Sequence, residues 1–232
     1  MGKIKLDSRL SAVASLVRQG SVVADIGTDH AYLVCYLLEN NIIESAIAAD
    51  LRKGPLENAK QTVALCSLED KVELVLSDGL QNVKPGSCNE IVIAGMGGIL
   101  ISEILSKAEW VFDSEINIVA QPMTHAEVLR EFFINNGFRI LEEKTATDQK
   151  HCYCAISAVY TGEKIAYPAW YTYLGETLKI SDDTAKKYVM KVYKSLKKKY
   201  DALAENGRKD DELSALLDEI ECKIKEAELW LE

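Results

Sequence analysis

The chain has 232 residues, of which 48% are hydrophobic, and this length allows one good core and a smaller appended unit. Its formal net charge of −9 argues against a protein that coats nucleic acid without selectivity, although a local basic face is compatible with that total. No apolar stretch has the length of a signal peptide or of a membrane helix, which needs about 20 residues, so we expect a cytoplasmic protein.

Residues 1–162 alternate between apolar β-rich runs and amphipathic helical patterns, which predicts an α/β domain with a mostly parallel sheet. The last two predicted strands follow each other directly, so we expect them to form an antiparallel pair at the end of the sheet. A capping box formed by Thr124 and Glu127, just after Pro122, predicts the start of a helix. The predicted strands span residues 22–26, 46–50, 72–76, 91–94, 116–120, 138–142 and 151–160.

Residues 163–232 form a second predicted domain. After an aromatic linker, YPAWYTYLGETLKI, two stretches carry apolar residues at spacings of three and four, and Asn206-Gly207 between them predicts a helix end. Two matched apolar seams joined by a short turn predict an antiparallel coiled-coil hairpin. The seams consist of Ala185, Val189, Val192, Leu196, Tyr200 and Leu203, followed by Leu213, Leu217, Ile220, Ile224, Ala227 and Leu231.

The six cysteines lack the spacing of a disulfide framework. Cys152 and Cys154 lie two residues apart beside His151, but no CxxC pair completes a tetrahedral site. We therefore predict reduced, mostly buried thiols and no structural metal.

Acidic residues or glycines follow each of the first four predicted strands. In an open parallel sheet, ligands bind outside the carboxyl ends of the strands, so we expect these residues to line one pocket. They are Asp25, Ile26, Gly27, Thr28 and Asp29 after the first strand, Asp50 and Leu51 after the second, Ser77, Asp78 and Gly79 after the third, and Ala94, Gly95, Met96, Gly97 and Gly98 after the fourth.

The turn in VVADIGTDHAYL indicates which cofactor this pocket takes. Asp29 occupies the position of the second glycine in the dinucleotide fingerprint, where its carboxylate would repel a pyrophosphate. S-adenosyl-L-methionine has no phosphate and carries a sulfonium and an ammonium, so the pattern favours this methyl donor over a nicotinamide dinucleotide. Asp50 is placed to accept hydrogen bonds from the ribose hydroxyls, and Asp78 is placed to meet the adenine amine.

Each of these residues also has a purely structural explanation. Asp25 could hold the loop amides, Gly27 could be a turn glycine with positive φ, and Asp50 and Asp78 could cap the following helices. The three glycines of GMGG lose more backbone entropy on folding than other residues would. Close approach of a ligand is a reason for their presence despite this cost. The combination at consecutive strand ends favours a ligand site.

Several motifs together resemble the TrmK family of bacterial tRNA methyltransferases. They are DIGTDHAYL, KGP at 53–55, IAGMGG at 93–98 and QP at 121–122 with the following LREFF, and the likeness extends to SRL at 8–10 and to the C-terminal hairpin. The resemblance implies a class I methyltransferase with a Rossmann-like fold, which methylates N1 of adenine-22 in tRNA with S-adenosyl-L-methionine as cofactor. The sequence departs from the family pattern at Met123, where Asn is usual, and at Asp50, where Glu is usual.

Methylation of adenine N1 mainly requires alignment of the base with the methyl group, together with stabilisation of the positive charge that develops on the ring. Asp29 lies in the cofactor loop, and the resemblance places the family's aspartate there, so we predict that it is the catalytic residue. Its alternative role is to hold the turn. Predicted substrate contacts are Arg9, His30, Tyr32, Arg52, Lys53 and Gly97.

Positive charge for a tRNA partner is available near the predicted pocket and on the hairpin. The hairpin lysines are equally compatible with a solvated coiled-coil face, and further contacts through the coiled coil stay open. Two other functions also stay open: methylation of another RNA or of a small molecule by the same fold, and a non-catalytic partner-binding module. The additional basic residues are Lys3, Lys5, Lys191, Lys194, Lys197, Lys198 and Lys199.

Overall fold

The computed structural model of the protein describes residues 4–148 and 151–227. Its centre is a seven-stranded sheet, and each predicted strand is confirmed. Most ends shift by at most three residues, but the sixth strand, predicted over 138–142, continues to Thr147. The strands are β1 (Ser21–Ile26), β2 (Ile43–Asp50), β3 (Val72–Leu76), β4 (Glu90–Met96), β5 (Asn117–Pro122), β6 (Phe138–Thr147) and β7 (Cys152–Tyr160).

The strand order is β3-β2-β1-β4-β5-β7-β6. Strands β1 to β5 pair in parallel, whereas β7 pairs antiparallel with both β5 and β6, as expected for two consecutive strands joined without a crossover helix. The carboxyl ends of β1 to β5 therefore lie along one edge of the sheet. The order reverses between β1 and β4, and a ligand crevice is expected at this point.

Helices cover both faces of the sheet. They are α1 (Ser8–Ala14), α2 (Tyr32–Glu39), α3 (Lys53–Leu65), α4 (Gly98–Ser106), α5 (Ala126–Asn135), α6 (Ala169–Leu174), α7 (Asp183–Glu205) and α8 (Asp211–Glu226). Side chains alternate across each strand, so Val23 packs under α1, α2 and α3 while its neighbour Ala24 packs toward α4 and α5. None of the helices in the described ranges is both long and apolar enough to cross a membrane.

The capping box predicted at Thr124 and Glu127 is wrong. Helix α5 begins at Ala126, and the preceding His125 has a left-handed backbone with φ of 55°. The carbonyl of Thr124 instead accepts a hydrogen bond from the amide of Gly98 at 2.7 Å, and Glu127 pairs with Nδ1 of His125 at 3.1 Å. Packing of this loop against α4 thus overrides the local capping signal.

The predicted linker contains α6 and a 3-10 turn over Gly175–Lys179, so it is more ordered than the sequence indicated. Beyond it, α7 and α8 share an apolar cluster, and the hydroxyl of Tyr193 donates to Glu221 at 3.4 Å, as in a helical hairpin. Helix α7 ends before Asn206 as predicted, whereas Leu231 of the second seam lies outside the described residues. The boundary near residue 162 stays a prediction, because Tyr171 and Tyr188 pack into the core beside the sheet.

All six cysteines lie in the described ranges and are free thiols. Cys35, Cys88 and Cys154 are buried, and Cys222 is exposed. Burial raises the pKa of the Cys35 thiol to about 12 and that of Cys88 to about 11, so both stay protonated near neutral pH.

Candidate active site

A cleft of about 630 Å³ opens at the carboxyl ends of β1 to β4, at the point where the strand order reverses. It receives residues from each of the four strand ends and from α1. All but three of the predicted site residues line it: Arg9, Asp25, Ile26, Gly27, Thr28, Asp29, His30, Tyr32, Asp50, Leu51, Arg52, Ser77, Asp78, Gly79, Ala94, Gly95 and Met96.

The three predicted residues outside this lining are Lys53, Gly97 and Gly98. Lys53 is the exposed first residue of α3, and Gly97 immediately precedes α4, where a Cβ placed on it would lie 3.2 Å from Oγ1 of Thr124. The cleft also has lining residues that the sequence analysis did not single out. They are Asp7, Leu10, Leu33, Leu100 and Ile104.

The strand ends carry a sequence signal that these additional residues lack. Ser77, for example, directly follows β3, so the strand-end rule included it. Asp7 and Leu10 belong to the start of α1, which precedes the sheet, and Leu100 and Ile104 project from α4. Their position depends on how the helices pack, which spacing along the chain does not reveal.

The turn after β1 requires the glycine at position 27. Gly27 has φ of 77°, and a Cβ there would collide with the terminal methyl group of Met96. The amides of Gly27 and Thr28 both donate to the carbonyl of Ala49, at 2.8 and 3.0 Å, which holds the turn over the end of β2. The positive φ therefore favours glycine in this turn, and a Cβ there would also displace the flexible end of Met96 at the floor of the cleft.

Asp29 also has a left-handed backbone, with φ of 51°, as has Ala31 with φ of 56°. Strained non-glycine residues of this kind concentrate at functional sites, because the surrounding structure must hold them in place. The side chain of Asp29 is 62% exposed, so its carboxylate lies at the mouth of the cleft.

Asp25 and Asp50 lie deeper in the cleft. The buried carboxylate of Asp25 accepts a hydrogen bond from the hydroxyl of Thr28 at 2.7 Å. Burial raises the pKa of Asp25 to about 6; the Thr28 hydrogen bond opposes this shift and the nearby charge of Asp50 adds to it. Asp50 accepts from the amides of Arg52 and Asp29, at 2.9 and 3.4 Å, so it joins the loops after β1 and β2.

His30 and Tyr32 form an aromatic pair beside Asp29. Their rings are stacked, with centroids 5.2 Å apart and planes within 8° of each other. Nε2 of His30 lies 3.7 Å from the Asp29 carboxylate, and Tyr32 is 48% exposed. An exposed flat surface next to a carboxylate is suited to receive a nucleobase by stacking.

The cleft is rich in carboxylates, which disfavours a pyrophosphate and suits a ligand with sulfonium and ammonium groups. The guanidinium groups of Arg9 and Arg52 are also present, and they provide partners for a carboxylate. Arg9 donates to the side chain of Gln121 at 2.9 Å and lies above Gly95. The carboxylates belong to Asp7, Asp25, Asp29, Asp50 and Asp78.

The glycines of GMGG have different roles. A Cβ on Gly98 would overlap the backbone carbonyl of His125, so this glycine is required by contact between α4 and the loop before α5. The expectation that a ligand explains all three glycines is therefore corrected for Gly98. Gly95, by contrast, lines the cleft.

The described residues contain no group of three His, Cys, Asp or Glu side chains that could hold a metal ion. Cys152 and Cys154, the pair considered for such a site, pack against the apolar core on the α5 side of the sheet.

The sheet with its antiparallel end and the acidic cleft at the switch point define the class of this protein: a methyltransferase with a Rossmann-like fold that uses S-adenosyl-L-methionine. The family model described as "Methyltransferase domain" matches residues 6–156. The tRNA (adenine(22)-N(1))-methyltransferase of Bacillus subtilis is 35% identical over 167 residues, which cover 72% of this chain and 70% of that protein. The chain belongs to the TrmK family.

Solved structures of the family superimpose over nearly the whole chain. The crystal structure of the B. subtilis m1A22 tRNA methyltransferase TrmK matches with a TM-score of 0.79 at 26% identity, and covers 97% of this chain and 98% of that one. The structure of TrmK from M. capricolum in complex with S-adenosyl-homocysteine matches with a TM-score of 0.77 at 25% identity, with the same coverage of both chains. The similarity includes the C-terminal hairpin as well as the sheet.

Proposed function

We propose that this protein transfers a methyl group from S-adenosyl-L-methionine to N1 of adenine-22 in tRNA. The observation that carries the proposal is the exposed carboxylate of Asp29 beside the stacked rings of His30 and Tyr32, at the mouth of an acid-lined cleft. The relatives named above are the reason for choosing this adenine and this class of RNA.

The cofactor, when bound, supplies an electrophilic methyl group on its sulfonium. We assign its ribose to Asp50, its adenine to the loop of Asp78 and Gly79, and its methionine part to Asp25 and Arg9, following the order of the strand ends. This order brings the methyl group toward the loop that contains Asp29.

The target adenine enters from the mouth and stacks on the pair formed by His30 and Tyr32. Its N1 has an in-plane lone pair, so catalysis consists mainly of alignment. The carboxylate of Asp29 accepts a hydrogen bond from the exocyclic amine, which orients the base and stabilises the positive charge that the ring gains on methylation. The base must leave its stack to reach this position, as for other enzymes that modify bases.

Positive charge outside the cleft guides the tRNA. Lys5, Lys53 and the lysines along α7 are exposed or half-exposed, and they provide phosphate contacts on a chain that is acidic overall. Lys3, which was also predicted to contribute, lies outside the described residues.

The test is transfer of labelled methyl groups to unmodified bacterial tRNA transcripts. The wild-type protein is compared with Asp29→Asn, because asparagine tolerates the left-handed backbone at this position. We expect kcat to fall by about 10²- to 10³-fold in this variant. The affinity for the methyl donor should change by less than about threefold, because the Asp29 carboxylate acts on the target base and not on the donor.

Two controls complete the experiment. Asp70→Asn makes the same chemical change at an exposed turn outside the cleft and should retain full activity. A transcript with guanine at position 22 should accept no methyl groups. Equal activity of Asp29→Asn and wild type would contradict the role of Asp29, and methylation of the guanine transcript would contradict the choice of adenine.

A further inference from the structure

A second cavity of about 450 Å³ lies between the loop after β5, the start of β7 and helix α7. Among the residues that the structure describes, none lines both this cavity and the catalytic cleft. The C-terminal unit supplies one wall through α6 and α7, so the cavity exists only where that unit packs on the methyltransferase sheet. Its volume is within the range of about 300–1,000 Å³ that is typical of small-molecule and nucleotide sites.

The two cavities are separated by a single loop. Met96 lines the cleft, Met123 lines the second cavity, and the amide of Met123 donates to the carbonyl of Met96 at 2.7 Å. Met123 is 44% exposed and lines the second cavity only. The hydrogen bond therefore joins a lining residue of the cleft to a lining residue of the second cavity, so the two cavities are neighbours at the ends of β4 and β5.

The α7 side of the second cavity is basic. Lys191, Ser195 and Lys199 recur every four residues, so they lie along one face of the helix. The ammonium of Lys191 donates one hydrogen bond to the carbonyl of Cys152 at 3.0 Å, which fixes its position and leaves further N–H groups for a ligand. These three side chains form a row of donors suited to a phosphate.

The opposite side of the cavity is acidic and aromatic. Glu127 and His125, which pair at 3.1 Å, lie at the start of α5, and Tyr173 of α6 is close by. Burial and then the charges of Glu127 and Glu131 raise the pKa of Tyr173, so its hydroxyl is a hydrogen-bond donor at neutral pH. Carboxylate, imidazole and hydroxyl groups next to a flat ring are suited to the polar edge and the face of a nucleobase.

We propose that the second cavity binds the nucleotide next to the methylated adenine in the tRNA strand. Its phosphate lies on Lys191 and Lys199, and its base packs between Met123 and Tyr173. This assignment rests on the proposed function, since it requires an RNA strand in the catalytic cleft. It also gives the C-terminal unit a specific task, namely to hold the strand that flanks the target base.

Lys199→Glu tests the phosphate contact, and Lys209→Glu is the matched control. Both lysines are exposed on the C-terminal hairpin, but Lys209 lies between α7 and α8 and is not part of the cavity lining. For Lys199→Glu we expect the KM for tRNA to rise roughly five- to tenfold. The negative slope of log(kcat/KM) against log of salt concentration should become less steep by about one. The affinity for S-adenosyl-L-methionine should be unchanged in both variants.

A second measurement locates the base directly. Transcripts with a single 4-thiouridine at position 21 or 23 are cross-linked to the wild-type protein by light, and the modified peptides are identified by mass spectrometry. We expect one of the two positions to cross-link to residues 123–127 or to Tyr173. Equal KM values for the two lysine variants, or cross-links confined to other surfaces, would overturn this assignment. Absence of methyl transfer by the wild-type protein would instead contradict the proposed function, and the assignment would fall with it.

Discussion

The guanidinium of Arg9 donates a hydrogen bond to the side-chain oxygen of Gln121 at 2.9 Å, and this contact joins helix α1 to strand β5 at the edge of the cleft. Gln121 is fully buried, and its amide nitrogen donates to the carbonyl of Pro122 at 2.9 Å, so its oxygen has a fixed direction. Arg9 is therefore held in place before any ligand binds. A preorganised guanidinium in an acidic cleft is suited to the carboxylate of the methionine part of the cofactor.

Replacing Gln121 by methionine should remove the acceptor while keeping a similar volume. Because Arg9 then loses its fixed position, we expect the Kd for S-adenosyl-L-methionine to rise by about five- to twentyfold, as for a weakened hydrogen bond to a charged group. S-adenosyl-homocysteine keeps the carboxylate and should lose the same factor in calorimetric titrations. The control is Gln61→Met, the same change at an exposed position of α3.

The outcome also decides between two partners of Arg9. The sequence predicted that Arg9 contacts the substrate, whereas the position of Arg9 above Gly95 favours a contact with the cofactor. An unchanged Kd for both cofactor forms, together with a raised KM for tRNA, would assign Arg9 to an RNA phosphate instead.

The buried carboxylate of Asp25 should make stability depend on pH. Its pKa in the folded protein is raised to about 6, whereas an aspartate in an unfolded chain titrates near 3.9. Between these values the folded protein binds more protons than the unfolded chain, so the free energy of unfolding decreases as the pH rises from about 4 to about 6. Above about pH 6 the full penalty of burying the charge is present.

Asp25→Asn removes this penalty. Without cofactor, we expect the variant to exceed the wild type in free energy of unfolding by about 1–3 kcal/mol near pH 8, and by nothing near pH 4. Urea denaturation at a series of pH values measures the difference, and Asp70→Asn serves as the exposed control. A difference that does not change with pH would show that Asp25 is not protonated in this range.

Gly98 offers a test of what the glycine-rich segment after β4 is for. A Cβ at this position would overlap the backbone carbonyl of His125, which cannot move aside without displacing the start of α5. We expect Gly98→Ala to lower the free energy of unfolding by about 1–3 kcal/mol. In Gly54→Ala, the added Cβ meets no atom within 4 Å and lies in α3, so helix propensity should stabilise the protein by about 0.5–1 kcal/mol. Thermal or urea unfolding of both variants is sufficient, and equal effects would contradict the packing explanation.

The strand ends were predictable from the sequence for a simple physical reason. Parallel strands bring their carboxyl ends to one edge of a sheet, so residues that follow separate strands, such as Asp25, Asp50 and Asp78, meet in one cleft. The acidic character of that edge then selected the class of cofactor. These inferences need only the alternation of strands and helices, which local hydrophobic patterns reveal.

The features that the sequence did not reveal depend on contacts between distant segments. Arg9 is separated by 112 positions from Gln121, and nothing near either residue indicates the other. The left-handed His125 follows from packing against Gly98, which outweighs the capping signal at Thr124. The second cavity likewise combines a loop, a strand and a helix that are far apart in the chain.

Arg130 on α5 and Glu143 on β6 illustrate the same limit, because a polar pair in these segments would be expected at the surface. Both side chains are fully buried, with Nε of Arg130 at 2.7 Å from Oε1 of Glu143. Arg130 also donates to the carbonyls of Thr172 and Tyr173, and Glu143 accepts from the amide of Glu176 at 2.8 Å. The pair therefore fastens the segment before the hairpin to the sheet.

Removing one partner of this pair should weaken that attachment. Arg130→Met leaves the Glu143 carboxylate buried without its counter-charge, so we expect the free energy of unfolding to fall by about 3–5 kcal/mol. The double variant with Glu143→Leu should lose less than the sum of the two single variants, because it removes both charges together. Urea denaturation of the four proteins gives the coupling energy. Limited proteolysis should cut Arg130→Met preferentially between residues 162 and 182. If this segment is as well protected as in the wild type, Arg130 does not attach it to the sheet.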